Sequence, residues 1–196
     1  MKYIGTILIL LIYFNSMAQE NSGDSVPYAT IPEASENYTV GSVVSRMIDG
    51  LGFRYHWATK DLKESDLNYK PGNDGRTIDQ TLDHLFALSA TILSSAKKEA
   101  RDFSIKLPEL AYADKRKATL ENFKIASALF LKSEDLSEHK IIFKRSKGTS
   151  EFPFWNQING PIEDAVWHAG QIVVLRRSAG NPINPKVNVF LGKLNE

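Results

Sequence analysis

The chain has 196 residues, with 24 Lys and Arg against 23 Asp and Glu, a formal net charge of +1, and no cysteine. That balance argues against a nucleic-acid binder, which carries a basic excess. The missing cysteine excludes disulfides, a thiol nucleophile and a lipid-modified N-terminal cysteine.

Residues 1–18 read as a signal peptide: Lys2, a nearly unbroken apolar run, then the small-x-small Ser16-Met17-Ala18. The run is short for a bilayer span, so no membrane attachment is expected after cleavage, although a retained N-terminal anchor stays open. Export to the periplasm or the extracellular space follows as an expectation. Removing these residues takes one Lys and no acid, leaving 23 basic against 23 acidic groups. Residues 19–38, rich in Ser, Glu, Asp and Pro, suggest a mobile leader. A single domain is expected over 39–196.

Four helical segments follow. Val40, Val44, Met47, Leu51, Tyr55, Ala58 and Leu62 recur at helical steps. Gly50 and Gly52 interrupt that segment and imply a bend or a close neighbour. Thr77 with Gln80 forms a capping-box pattern ahead of a stripe of Ile78, Leu82, Leu85, Leu88 and Ile92. His84 sits on the flank of that stripe. A third helix is predicted over 112–133, with Leu120, Phe123, Ala126 or Ala128, Phe130 and Leu131 inward and Asp114, Lys115, Arg116 and Lys117 on a solvated face. Residues 139–144 suit either a short strand or an extended crossover, and 146–151 a loop. Phe152-Pro153-Phe154-Trp155 is expected to plug one end of the bundle. A fourth helix is predicted over 161–177, opened by Asn159, Gly160 and Pro161 and stopped by Gly180 and Pro182. The tail, 187–191, is expected to pack back across it. Together these elements predict an all-α fold, a four-helix bundle with a long crossover connection.

Asp164 and His168 stand four residues apart, so they project from one helix face. His84 is the natural third member of a metal site, since bundle-core sites join a pair one turn apart with a ligand from a facing helix. Zinc and nickel accept imidazole and carboxylate together, and three protein ligands leave a position open for chemistry. The competing reading is a local Asp164–His168 hydrogen bond beside a boundary histidine. His56 is an alternative ligand, though it falls opposite the apolar stripe of its helix. His139 is expected to be exposed in a charged loop, and Glu163 points away from His168. Tyr55, Trp155 and Gln171 are candidate contacts for a small-molecule substrate. Gln171 could equally orient a ligand or be a surface amide. Sequence patterns of serine hydrolases, phosphate-cradling loops, dinucleotide sites and HExxH metalloproteases are absent.

The run from Asp164 to Arg177, DAVWHAGQIVVLRR, with its Gly180-Asn181-Pro182 stop and an earlier helical His84, resembles the DinB-like superfamily of metal-binding four-helix bundles. The likeness covers about residues 40–193. His168-Ala169-Gly170-Gln171 matches the family's recurring H-x-G-Q, and Arg176 and Arg177 follow it. The resemblance implies one His ligand on the second helix and two, at i and i+4, on the fourth. His84 and His168 match the outer two, and Asp164 replaces the middle one. The site is then either a two-His, one-carboxylate centre or a decayed one. Gly170 implies close approach by a neighbouring helix. Relatives in that family include bacillithiol- or mycothiol-dependent transferases, a maleylpyruvate isomerase and proteins resembling metal-dependent hydrolases; the family name does not imply DNA handling. The expected function is metal-assisted hydrolysis of a small molecule, with metal-bound water as nucleophile. The alternatives are a thiol-dependent transferase, which export disfavours because such thiols are cytoplasmic, and a non-catalytic binding or structural module. A homodimer through exposed helix faces agrees with the resemblance, with no sequence feature that fixes it.

Overall fold

The computed structural model describes residues 26–196; the expected signal peptide and the start of the leader lie outside them. The helices in chain order are α1 (Val40–Thr59), the single turn α2 (Glu64–Leu67), α3 (Ile78–Ala96), α4 (Tyr112–Leu131), the turn α5 (Phe154–Gln157) and α6 (Glu163–Ser178). α1 and α3 each pack against both α4 and α6, so the four long helices close a ring around one core. Ile48, Leu51, Leu82, Leu85, Phe123 and Ile172 fill it without solvent exposure. Both capping boxes at the ring's helix starts are formed. Thr77 Oγ1 accepts from Gln80 N–H at 3.1 Å while Gln80 Oε1 accepts from Thr77 N–H at 2.9 Å. Thr39 and Ser42 make the same reciprocal pair at the start of α1.

An all-α four-helix bundle is not what forms. Two small sheets accompany the helices. β1 (Arg101–Asp102), β2 (Ile141–Arg145) and β3 (Gly148–Phe152) make one of them, in the order β1-β2-β3. β2 and β3 are an antiparallel hairpin in which Ile141 faces Phe152 and Arg145 faces Gly148, and β1 adds in parallel. The connection between α4 and α6 is therefore paired backbone, which satisfies polar groups that a bare crossover beside α3 would leave open. Residues 146–151, expected as loop, lie mostly in β3. The second sheet pairs β4 (Val187–Asn188) with β5 (Lys193–Leu194). The tail thus turns back on itself, and Phe190 at its tip is 94% exposed.

The leader is docked from Val26 on. Tyr28 is buried and donates to Asp49 Oδ1 at 3.0 Å, Trp57 Nε1 donates to the Ala29 carbonyl, and Ile31 N–H reaches Gly192 O at 2.8 Å. Gly52 makes this possible: a Cβ there would stand 2.5 Å from the Tyr28 ring. The close neighbour implied by that glycine is the leader itself.

Two buried guanidinium groups hold the end of α1. Arg176 Nη1 donates to the carbonyls of Trp57, Ala58 and Lys60, and its Nε to Asn181 O at 2.7 Å. Arg116 Nε donates to Thr59 Oγ1 at 3.1 Å. The Arg176 donors meet carbonyls that a helix C-terminus leaves without partners, and Arg116 meets a hydroxyl beside them. Lys115 and Arg116 are accordingly buried, not part of a solvated face.

Candidate metal centre

α6 begins in an unusual way. Residues 158–162 form a wide π-helical turn containing Pro161, and Glu163 N–H bonds back five residues to Ile158 O. Proline has no N–H to offer Gln157 O, so the ladder cannot run on as a plain α-helix and the turn widens. Pro161 is therefore inside this turn and not at a helix start. From Glu163 the regular spacing resumes, and Asp164, His168 and Gln171 fall on the side of α6 that meets α3.

His84 arrives from α3, whose core face is set by Leu82 and Leu85. Its Nε2 lies 3.0 Å from Asp164 Oδ2, and His168 Nε2 lies 3.3 Å from Asp164 Oδ1. The two imidazoles stand edge to face, their centres 4.7 Å apart. One donor atom from each of the three residues lies within 4.8 Å of the others, and all three side chains are half-buried. This cluster could hold a metal ion. Donors bound to zinc at about 2.0–2.1 Å sit roughly 3.3–3.4 Å from one another in a tetrahedron, so the three donors, within 4.8 Å of one another, need only draw together to share an ion.

The outer edge of His168 is fixed. Its Nδ1–H donates to Gln171 Oε1 at 2.7 Å. A neutral imidazole carries one proton, so this bond leaves the Nε2 lone pair facing the Asp164 carboxylate. An imidazole nitrogen facing a carboxylate at 3.3 Å is matched either by a proton on Nε2 or by a metal cation between the two. A donor set of two imidazoles and a carboxylate suits a metal cation. Gln171, for which an orienting amide and a surface amide were both open, is half-buried and bonded to the His168 ring.

The remaining candidates separate from this point. Tyr55 is fully buried, edge-on to Phe123 at 5.9 Å, and burial pushes its phenol well above the usual range. Trp155 is 74% exposed and borders a groove with Val40, Leu136 and Ile158. Neither belongs to the three-residue cluster. His56 is buried at the end of α1 with Nδ1 2.9 Å from Pro27 O, and it too lies outside the cluster. His139 is buried, not exposed: Nε2 meets Ser133 Oγ at 2.8 Å and Nδ1 meets Ser95 O at 3.0 Å. Lys115, read from the sequence as part of a solvated face, bridges Asp79 and Asp83 through its Nζ at 2.7 and 2.6 Å and ties α4 to the helix carrying His84. An Asp pair at i,i+4 opposite a lysine on the α4 core stripe was the available signal.

Fold and site together define a mainly helical chain with two small sheets and a two-His, one-carboxylate cluster able to take a cation. Comparison with protein-family models, curated proteins and solved structures finds no match. Among the described residues no helix is long and apolar enough to cross a membrane.

Proposed function

We propose that the chain binds a divalent metal, zinc or nickel, through His84, Asp164 and His168 and hydrolyses a small molecule there. The reading rests on one observation: three donor atoms from two helices within 4.8 Å, with the far nitrogen of His168 tied to Gln171. When bound, such an ion supplies a Lewis acid that acidifies water and polarises an ester, amide or phosphate group. The chain's own part is to fix three donors and leave further positions open. His84 and His168 are half-buried, so one side of the cluster is shielded while solvent and a small substrate can reach it. Asp164 contributes the negative charge that partly offsets the cation. The resemblance to the DinB-like superfamily belongs to the same proposal and rests on His84, His168 and the H-x-G-Q run. An exported location rests on residues 1–18.

Metal analysis of protein purified without added ions, wild type against His168→Ala, tests binding. The expected result is near-stoichiometric metal in the wild type and little in the variant. A panel of ester, amide and phosphate substrates, with and without added thiol, then tests the reaction. Turnover that needs thiol would favour the transferase. Equal metal in wild type and variant would reduce the cluster to a hydrogen-bonded knot in a non-catalytic module, because His84 and Asp164 already stand at hydrogen-bond distance.

A further inference from the structure

The three-stranded sheet sorts its side chains by face. Side chains alternate along a strand, and residues in register share a side. Phe143 and Arg145 stand two apart on β2; Ser150 is in register with Phe143 and Phe152 with Ile141, so all of them lie on one face. Arg101 of β1 is in register with Phe143 and joins them. Phe103 follows β1, its N–H on the Lys144 carbonyl at 2.9 Å, and its ring packs edge-on to Phe143 at 5.4 Å. Both acids of the sheet turn the other way. Asp102, in register with Lys144, pairs with its Nζ at 2.8 Å. Glu151, in register with Ile142, pairs with Lys140 at 3.2 Å.

The first face is therefore aromatic and cationic. Phe143 also meets Phe152, their ring centres 5.9 Å apart. The Arg145 guanidinium lies 4.6 Å from the centre of the Phe103 ring and 4.8 Å from that of Phe143, and Arg101 lies 5.2 Å from Phe103. A guanidinium held over a ring is attracted by the ring's negative face, and its fork of N–H groups can grip two oxygens of a phosphate. Phe103 is 48% exposed and Phe152 39%, so apolar rings and cations reach solvent together. The chain as a whole carries a formal net charge of only +1. The positive character here is local, made by the sorting of the two faces and not by composition.

We propose that this face of the sheet docks on an anionic lipid surface, its phenyl rings entering the headgroup boundary while Arg101 and Arg145 take phosphate oxygens. A bilayer interface offers both things the face asks for, phosphate at the surface and hydrocarbon about 5–10 Å below it. An acidic peptide or free phosphate would satisfy the guanidiniums and leave the rings in water. Such a contact spans nothing, and it is reversible and sensitive to salt. It revises the expectation of no membrane attachment, which rested on the length of an apolar run.

Co-sedimentation with vesicles tests this without metal or turnover, on the chain from Gln19 onward, the form expected after signal cleavage. Vesicles are phosphatidylcholine alone or mixed with phosphatidylglycerol. The wild type should bind the mixed vesicles at least about tenfold more tightly, and salt should release it. Arg145→Gln should weaken that binding about fivefold. Lys144→Gln removes the same charge from the opposite face and should change it by less than about twofold. Both side chains are exposed, so this comparison decides even if Phe103→Ser, which should also weaken binding, loosens the hairpin. Equal binding to both vesicles, or equal losses in Arg145→Gln and Lys144→Gln, overturns the proposal. So does capture of poly-glutamate or single-stranded DNA with vesicles left unbound, which would assign the face to an acidic polymer.

Discussion

Replacing Gln171 with leucine removes one hydrogen bond and leaves the three proposed metal ligands, His84, Asp164 and His168, in place. In the wild type Gln171 Oε1 receives the proton of His168 Nδ1 at 2.7 Å, so in a neutral ring Nε2 is the nitrogen that can ligate. Leucine cannot accept. The ring is then free to carry its proton on Nε2, or to turn away from Asp164. Partners of this kind are worth about 10–100-fold in metal affinity, or roughly 1.4–2.7 kcal/mol. Gln171 is half-buried and makes no second side-chain bond among the described residues, so stability should change by no more than about 0.5 kcal/mol. Binding and folding therefore separate. Competition against a chromophoric chelator measures the first, and urea unfolding in EDTA the second. Gln171→Glu keeps an acceptor and adds negative charge, and should hold metal at least as well as the wild type. A leucine variant that binds metal as tightly as the wild type, with its stability intact, would refute the claim that Gln171 selects the ligating nitrogen.

Arg176→Met should cost about 3 kcal/mol in urea unfolding, because it strands the carbonyls of Trp57, Ala58 and Lys60 in a buried place. Gly52→Ala would drive a methyl into the Tyr28 ring and should destabilise the chain by about 1–3 kcal/mol, with faster proteolysis ahead of α1 as the local readout. Burial, with Lys98 nearby, holds the imidazole of His139 below its ordinary value of 6.5. The unfolded chain then takes up this proton first as pH falls, so stability is full above about 6.5 and declines below it until the folded-state value is passed. His139→Gln should flatten that slope in unfolding measured from pH 7.5 downward, and an unchanged slope would assign it to other groups.

Much of the helical frame was legible because the helices state their own periods. Thr77 with Gln80 marks the start of α3, and the Ile78–Ile92 stripe marks its core face, both from local spacing. Asp164 and His168 could be paired for the same reason. What joined His84 to them was a packing of distant helices that spacing alone does not fix. β3 was invisible: Gly148, Thr149, Ser150, Glu151 and Phe152 are all exposed, so no alternation of buried and open positions is written there. Lys115 and Arg116 misled in another way. Their charge suggests solvent, yet each is buried because a specific oxygen waits for it, on Asp79 and Asp83 in one case and at the end of α1 in the other. The docked leader was hidden likewise, since its polar composition says nothing of the slot that Gly52 opens for Tyr28.

The bond from Ile31 N–H to Gly192 O has a consequence for the order in which the chain is completed. A ribosome makes residue 31 long before residue 192, so the strap ahead of α1 cannot be fastened at its far end until Gly192 has been made. Until then the opening stretch is held by contacts such as Tyr28 to Asp49 and the Ala29 carbonyl to Trp57. Loss of the closing hairpin would thus be felt at the opposite terminus, as a strap that lifts.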